Sequence, residues 1–167
     1  MSVNSEISLQ QGPQLRAQAA KKVLVIDDSP AIVDFVRHAV QQQGKYEVVV
    51  AYDGVQGLER YYAERPDCVV VDVMMPRMDG FQFVRCLRGD TKTSQTPLII
   101  ITALASPDKE LIGYLSGADE YITKPFKPSV LCAALDRVLS LTPEERERRL
   151  QRLAEGGVSP NEQANDD

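Results

Sequence analysis

From Lys21 onward, apolar and polar residues alternate in blocks, and each block has one of two periods. Residues 22–26 (KVLVI), 47–51 (EVVVA), 68–71 (CVVV), 97–101 (PLIII) and 121–123 (YIT) are short apolar or β-branched runs, which is how strands read. Helical periods lie between them. In 30–43 the apolar residues fall at Ile32, Val33, Val36, Ala39 and Val40, and the pattern stops at Gly44. Residues 54–64 repeat the period and stop before Pro66; 81–88 run up to Gly89; 108–116 end at Gly117; 129–141 form an amphipathic helix. Five strand–helix units therefore follow one another in strict alternation. Near-continuous Val/Ile runs belong to strands covered on both faces. The chain is expected to form an α/β fold, a parallel sheet with helices on each side joined by right-handed crossovers.

The ends of the chain break this rhythm. Residues 1–20 are polar and Gln-rich, contain Gly12-Pro13 and read as a flexible arm, with 14–20 a short helical lead-in. The stretch after Leu141 in this sequence is too short to be expected to form a second output domain with its own core. Thr142-Pro143-Glu144-Glu145 reads as a helix start, with Thr as cap, Pro in the first turn and Glu145 in the capping-box position. Residues 142–155 are thus a charged helical extension. Glu144→Arg148 and Glu145→Arg149 are i, i+4 pairs, and Leu150 and Leu153 give a narrow apolar edge. The expectation is a solvated helix, the alternative a dimer or partner contact along that edge. Residues 156–167 (GGVSPNEQANDD) read as a disordered tail.

Composition narrows the function classes. The chain has 167 residues, 24 acidic against 19 basic side chains and a net charge of −5. An acidic balance disfavours general nucleic-acid binding, and no direct DNA contact is expected. No apolar run approaches the ~20 residues that span a bilayer. The amino terminus lacks the apolar core of an export signal, so a cytoplasmic location away from membranes is expected. Cys68, Cys86 and Cys132 are widely spaced within apolar stretches and read as buried, reduced thiols. With one histidine, His38, and no Gly-x-Ser-x-Gly elbow, a zinc site or a serine hydrolase is set aside. Neither Gly-x-Gly-x-x-Gly nor Gly-Lys-Ser/Thr follows the first strand, which disfavours a nucleotide site.

In an open parallel sheet, chemistry collects at the carboxyl ends of the strands. The first strand ends in Asp27-Asp28, the third in Asp72, the fourth in Thr102 and the fifth in Lys124. Taken singly, Asp-Asp after a strand is a turn or cap, and Lys-Pro is a loop. Taken together, three carboxylates, a hydroxyl and an ammonium converge on one edge. Adjacent carboxylates repel until a cation neutralises them, and an oxygen-only donor set suits Mg²⁺ (or Mn²⁺). Lys124 and Thr102 can hold a further anion. A carboxylate nucleophile that attacks phosphorus, giving an aspartyl phosphate, fits this set.

The segments Asp27-Asp28-Ser29, Asp72-Val73-Met74-Met75-Pro76-x-Met78-Asp79-Gly80, Ile101-Thr102-Ala103 and Lys124-Pro125-Phe126 resemble the signature blocks of the receiver (CheY-like) domain of two-component response regulators. Ala51-Tyr52-Asp53-Gly54 and Gly117-Ala118-Asp119-Glu120-Tyr121 match as well, so the likeness covers residues 21–141. The resemblance implies a doubly wound, flavodoxin-like sheet of five strands in the order 2-1-3-4-5, with five helices besides the C-terminal extension. It implies that Asp72 is the phosphoacceptor. Asp27, Asp28 and Asp72, with the backbone carbonyl of Met74, would hold the metal. Lys124, Thr102 and the small Ala103 would line the phosphoryl pocket. Tyr121 would be the aromatic switch, and Lys124-Pro125 a cis peptide. The implied partners are a sensor histidine kinase or a histidine phosphotransfer protein, and a target read through residues 106–141. A homodimer through that face or through the C-terminal helix is open.

On this reading the chain is a stand-alone response regulator, a phosphoacceptor rather than a turnover enzyme. The alternative is a phosphorelay shuttle that passes the group on to a histidine. A haloacid-dehalogenase-like phosphatase would want Asp-x-Asp after the first strand, where this chain has Asp27-Asp28-Ser29-Pro30. His38 reads as a helix residue bordering the kinase-facing surface, not as a phosphohistidine. Met74 and Leu104, two positions beyond Asp72 and Thr102, are apolar and unable to orient a water, so a long-lived phosphorylated form is expected.

Overall fold

The computed structural model describes residues 20–104, 106, 108, 112 and 116–155, without the side chains of 153 and 154. Five strands, β1 (Lys21–Ile26), β2 (Tyr46–Ala51), β3 (Cys68–Asp72), β4 (Leu98–Thr102) and β5 (Glu120–Thr123), form one sheet in the order β2-β1-β3-β4-β5. Every pairing is parallel. Five helices are described: α1 (Pro30–Gln41), α2 (Gly54–Glu64), α3 (Gly80–Gly89), α4 (Pro128–Ser140) and α5 (Pro143–Ala154).

The pleat sorts each strand's side chains into two cores. Leu24, Ile26, Val69, Val71, Leu98, Ile100 and Tyr121 meet Phe83, Val84 and Leu87 of α3 and Tyr61 of α2. Val23, Val25, Val70, Ile99, Ile101 and Ile122 meet Val36 and Val40 of α1 and Leu131, Leu135 and Val138 of α4. This is why β3 and β4, CVVVD and LIIIT, show no alternation: all their residues are buried. Each such Val or Ile contributes roughly 1.5–3 kcal/mol by leaving water. The sheet is thereby packed on both faces, and its carboxyl edge carries the polar residues.

The expected elements stand with ends moved by one or two residues. Asp72 and Thr102 are the last residues of their strands, as expected. Of the helix expected over 108–116, Asp108 and Ile112 are helical, and most of its other residues lie outside the described set, as do the N-terminal arm and the last twelve residues. Cys68 and Cys132 are buried as expected, but Cys86 is exposed. It lies on α3 away from Phe83, Val84 and Leu87, on the face turned from the sheet.

The largest departure concerns α5, which is not a solvated extension. Thr142 and Glu145 form the expected capping box, with 2.8 Å and 3.2 Å bonds. Arg149, however, turns away from Glu145 to the Glu120 carboxylate at 2.6 Å, and Arg146 is buried against Asp119 at 3.1 Å. The helix is docked beneath the sheet by a stripe of Arg146, Arg149 and the half-buried Leu150. It lies at the end of β5 opposite the site formed by the strand tips.

Candidate metal and phosphoacceptor site

β1, β3, β4 and β5 all end on one edge, and the parallel register brings their last residues level: Ile26 pairs with Val71, Asp72 with Ile101, and Thr102 with Thr123. The carboxylates of Asp27, Asp28 and Asp72 therefore converge, each offering an oxygen within 4.8 Å of the others. Asp27 and Asp72 are buried, and Asp28 faces solvent. Lys124 reaches over from the end of β5 to Asp27 at 2.7 Å and Asp72 at 3.2 Å. The Lys124-Pro125 peptide is cis, as expected.

Local bonds hold these groups. The Asp27 carboxylate accepts the Ser29 N–H at 2.9 Å, and the Asp27 N–H donates to the Ala51 carbonyl. Beyond β3 the chain folds back so that the Gly80 N–H bonds the Val73 carbonyl at 2.9 Å. Asp79 caps α3 reciprocally with Gln82. Met74 lies on this loop, 59% exposed, and Ala103 is open to solvent, so neither side chain closes the site. Thr102 is fully buried, and its hydroxyl accepts the Leu104 N–H at 3.3 Å. Tyr121 is turned inward, its hydroxyl donating to the Leu104 carbonyl at 2.9 Å. His38 is exposed on α1, its Nδ1 3.0 Å from the Asp34 carbonyl, which suits a surface helix residue.

Two partners of the site went unread in the sequence. Arg77, on the loop after β3 with φ 67°, pairs with the buried carboxylate of Asp53, which also caps α2. Gly54 lies so close to Met78 that a Cβ there would meet its side chain and carbonyl at 2.8 Å. Together they tie the start of α2 to the loop that carries Met74. The only sequence signal was the Asp53-Gly54 pair after β2, which periodicity alone reads as a turn.

Burial raises the Asp72 carboxyl above the ordinary range; Lys124 draws it back down, and Asp27 and Asp28 push it up again. Burial lowers the Lys124 ammonium, but its bonds to Asp27 and Asp72 outweigh this and leave it raised. The oxygen-only donor set and the like-charge strain fit a hard divalent cation. Without one, the folded chain keeps a proton on Asp72 at pH values just above the ordinary carboxylate range, where the unfolded chain has lost it. Stability in metal-free buffer is therefore expected to fall as pH rises through the window from ordinary to raised pKa. Asp72→Asn should remove that slope and raise the metal-free Tm, each ~1 kcal/mol being worth about 2–4 °C at this size. Thermal melts in chelator between pH 4 and 8 check this.

The fold and this acidic edge define a receiver domain. The chain belongs to the response regulator receiver family, whose domain description matches residues 23–136. It is 37% identical over 121 residues to the DNA-binding dual master transcriptional regulator RpaA of Synechocystis, covering 72% of this chain and 50% of that one. It is 38% identical over 124 residues to the response regulator MprA of Mycobacterium tuberculosis, covering 74% and 53%. The chain thus spans about half the length of the curated relatives it matches. Among solved structures it resembles the chemotaxis protein CheY4 of Vibrio cholerae, with TM-score 0.67, 40% identity, and coverage of 72% of this chain and 99% of that one. No helix among the described residues is long and apolar enough to cross a membrane.

Proposed function

We propose that the protein is a response regulator that accepts a phosphoryl group on Asp72 from a histidine kinase or a histidine phosphotransfer protein, in a reaction that needs Mg²⁺. The observation that carries this is the convergence of the Asp27, Asp28 and Asp72 carboxylates under the Lys124 ammonium. Asp27, Asp28 and Asp72, with the Met74 carbonyl, would hold the ion, which when bound offsets negative charge on the carboxylates and on the incoming phosphoryl oxygens. An Asp72 oxygen attacks phosphorus as the nitrogen–phosphorus bond of the donor breaks, and the donor imidazole takes the leaving electron pair. Lys124 exchanges part of its bonding to Asp27 and Asp72 for a phosphoryl oxygen. Thr102, released from the Leu104 N–H, supplies a hydroxyl donor beside Ala103.

The new charge is close to −2 and sits on an edge that Asp28, Met74 and Ala103 leave open to solvent. Thr102 and Tyr121 share Leu104 as a partner, one through its N–H and the other through its carbonyl. A move by either side chain therefore alters the other's footing. The readout is a protein-binding face over residues 106–141, not turnover of a substrate. DNA binding, stated in the name of RpaA, is a property of that longer relative.

Transfer of labelled phosphoryl from a phosphohistidine donor tests the acceptor role. Back-transfer from the labelled chain to a histidine protein would favour a shuttle; capture of a target only by the labelled form favours a switch. Met74 and Leu104 present no group that orients an in-line water. The double variant Met74→Asn/Leu104→Glu is expected to lose its label about tenfold faster, a barrier change of ~1.4 kcal/mol. An unchanged half-life would remove these two residues from the hydrolysis path.

A further inference from the structure

The cluster under the sheet takes no part in the phosphochemistry described above, yet it is built around the strand that leads into Lys124. Asp119 and Glu120 are buried, and each has two kinds of partner. Within the receiver, Asp119 accepts the Leu98 N–H at 2.8 Å and pairs with Arg88 of α3 at 3.4 Å, while Glu120 pairs with Arg137 of α4 at 3.1 Å. From α5, Arg146 adds a second contact to Asp119 at 3.1 Å and Arg149 a second to Glu120 at 2.6 Å. Arg146 also donates to the carbonyls of Gln95 at 2.8 Å and Val138 at 3.3 Å. Removing α5 would therefore leave neither carboxylate without a cationic partner. A helix whose described inward contacts are mainly those of two arginines, each to a carboxylate that has another cationic partner, has the makings of a releasable element.

We propose that α5 is a latch on β5 that opposes phosphorylation, and that occupancy of the acceptor site weakens its docking. This rests on the phosphoacceptor reading of Asp72. Glu120 and Lys124 are four residues apart, about 13 Å along an extended chain. A strand of that length, hydrogen-bonded to β4 throughout, moves as one body. Its lower end is held by Arg146 and Arg149. Its upper end carries Lys124, which an anion on Asp72 draws away from Asp27. Tyr121 lies between the two and is bonded to Leu104. Drawing Lys124 toward an anion asks β5 to shift, while the two arginines hold it where it is. Both demands fall on one strand, so they are coupled, and the coupling must be reciprocal.

The test uses the full chain with Mg²⁺ and beryllofluoride, a phosphoryl mimic. Amide hydrogen exchange over residues 143–152 is expected to speed up about fivefold when the mimic is bound, within the usual range of coupling between sites. Arg146→Gln/Arg149→Gln, which touches no residue of the acidic edge, is expected to bind the mimic tighter by the same factor. If exchange over α5 and mimic affinity are both unchanged, or either shifts the opposite way, the latch is overturned. The exchange measurement needs no variant, so it decides even if the double variant folds poorly. Failure of the wild-type chain to bind the mimic at all would instead bring down the phosphoacceptor reading, and the coupling with it.

Discussion

Incubated with Mg²⁺ and acetyl phosphate, the protein is expected to take up one hydroxylamine-sensitive phosphoryl group, and Asp72→Asn to take up none. Intact mass with and without hydroxylamine reads the result. The loss should be complete because no other carboxylate can stand in. Asp27 is engaged by the Ser29 N–H and by Lys124. Asp28 faces solvent, and the ion pairs of Lys124 go to Asp27 and Asp72. Asp72 is buried at the end of β3, contacts Lys124 and has two acidic neighbours to share an ion with. The substituted amide would keep the shape of the side chain and remove the nucleophile. A label that persisted in this variant would place the acceptor elsewhere and dissolve the assignment.

Gly80→Ala is expected to destabilise the fold by about 3 kcal/mol, near the upper end for overpacking, and to abolish labelling as well. A Cβ at Gly80 would collide with the Asp72 carbonyl oxygen and lie 2.8 Å from the Val73 Cα. Both obstacles are backbone, and the Gly80 N–H is itself bonded to Val73. Relief would require the end of β3 to move, and that end carries the acceptor. Gly89→Ala is the control: nothing lies within 4 Å of its Cβ, and it ends α3, so the change should be neutral or stabilise by up to ~1 kcal/mol. Chemical denaturation of the three proteins separates the cases. If Gly80→Ala matched the control, the close approach of α3 to β3 would carry no cost.

Much of the architecture was legible because burial on both faces leaves a local mark. CVVV and PLIII cannot be amphipathic strands, and their number and alternation with helical periods require a parallel sheet. The polar residues at their ends then mark the functional edge, since strand ends in such a sheet share a side. What stayed hidden were pairings between distant charges. Arg149 read as a solvated partner of Glu145, and Arg146 as one more charge of a solvated helix, because an inward-facing stripe on a helix is normally apolar. Their true partners, Asp119 and Glu120, were visible only as part of a resembling segment. Arg77 and Asp53 were missed for the same reason: a side chain on a left-handed turn has no periodicity. Cys86 was misjudged because an apolar neighbourhood in sequence, around Phe83, Val84 and Leu87, says nothing about which side of α3 its thiol takes.

The polar groups of the acidic edge hang from the tips of strands whose interiors are wholly apolar, while Phe35, Val55 and Val130, large side chains open to solvent, sit on helices. The acidic edge and these exposed apolar side chains thereby lie on different elements. Substitutions that retune whom the protein meets can accumulate on the helical surfaces without disturbing the aspartates. A gene duplicate could change its allegiance and keep its chemistry.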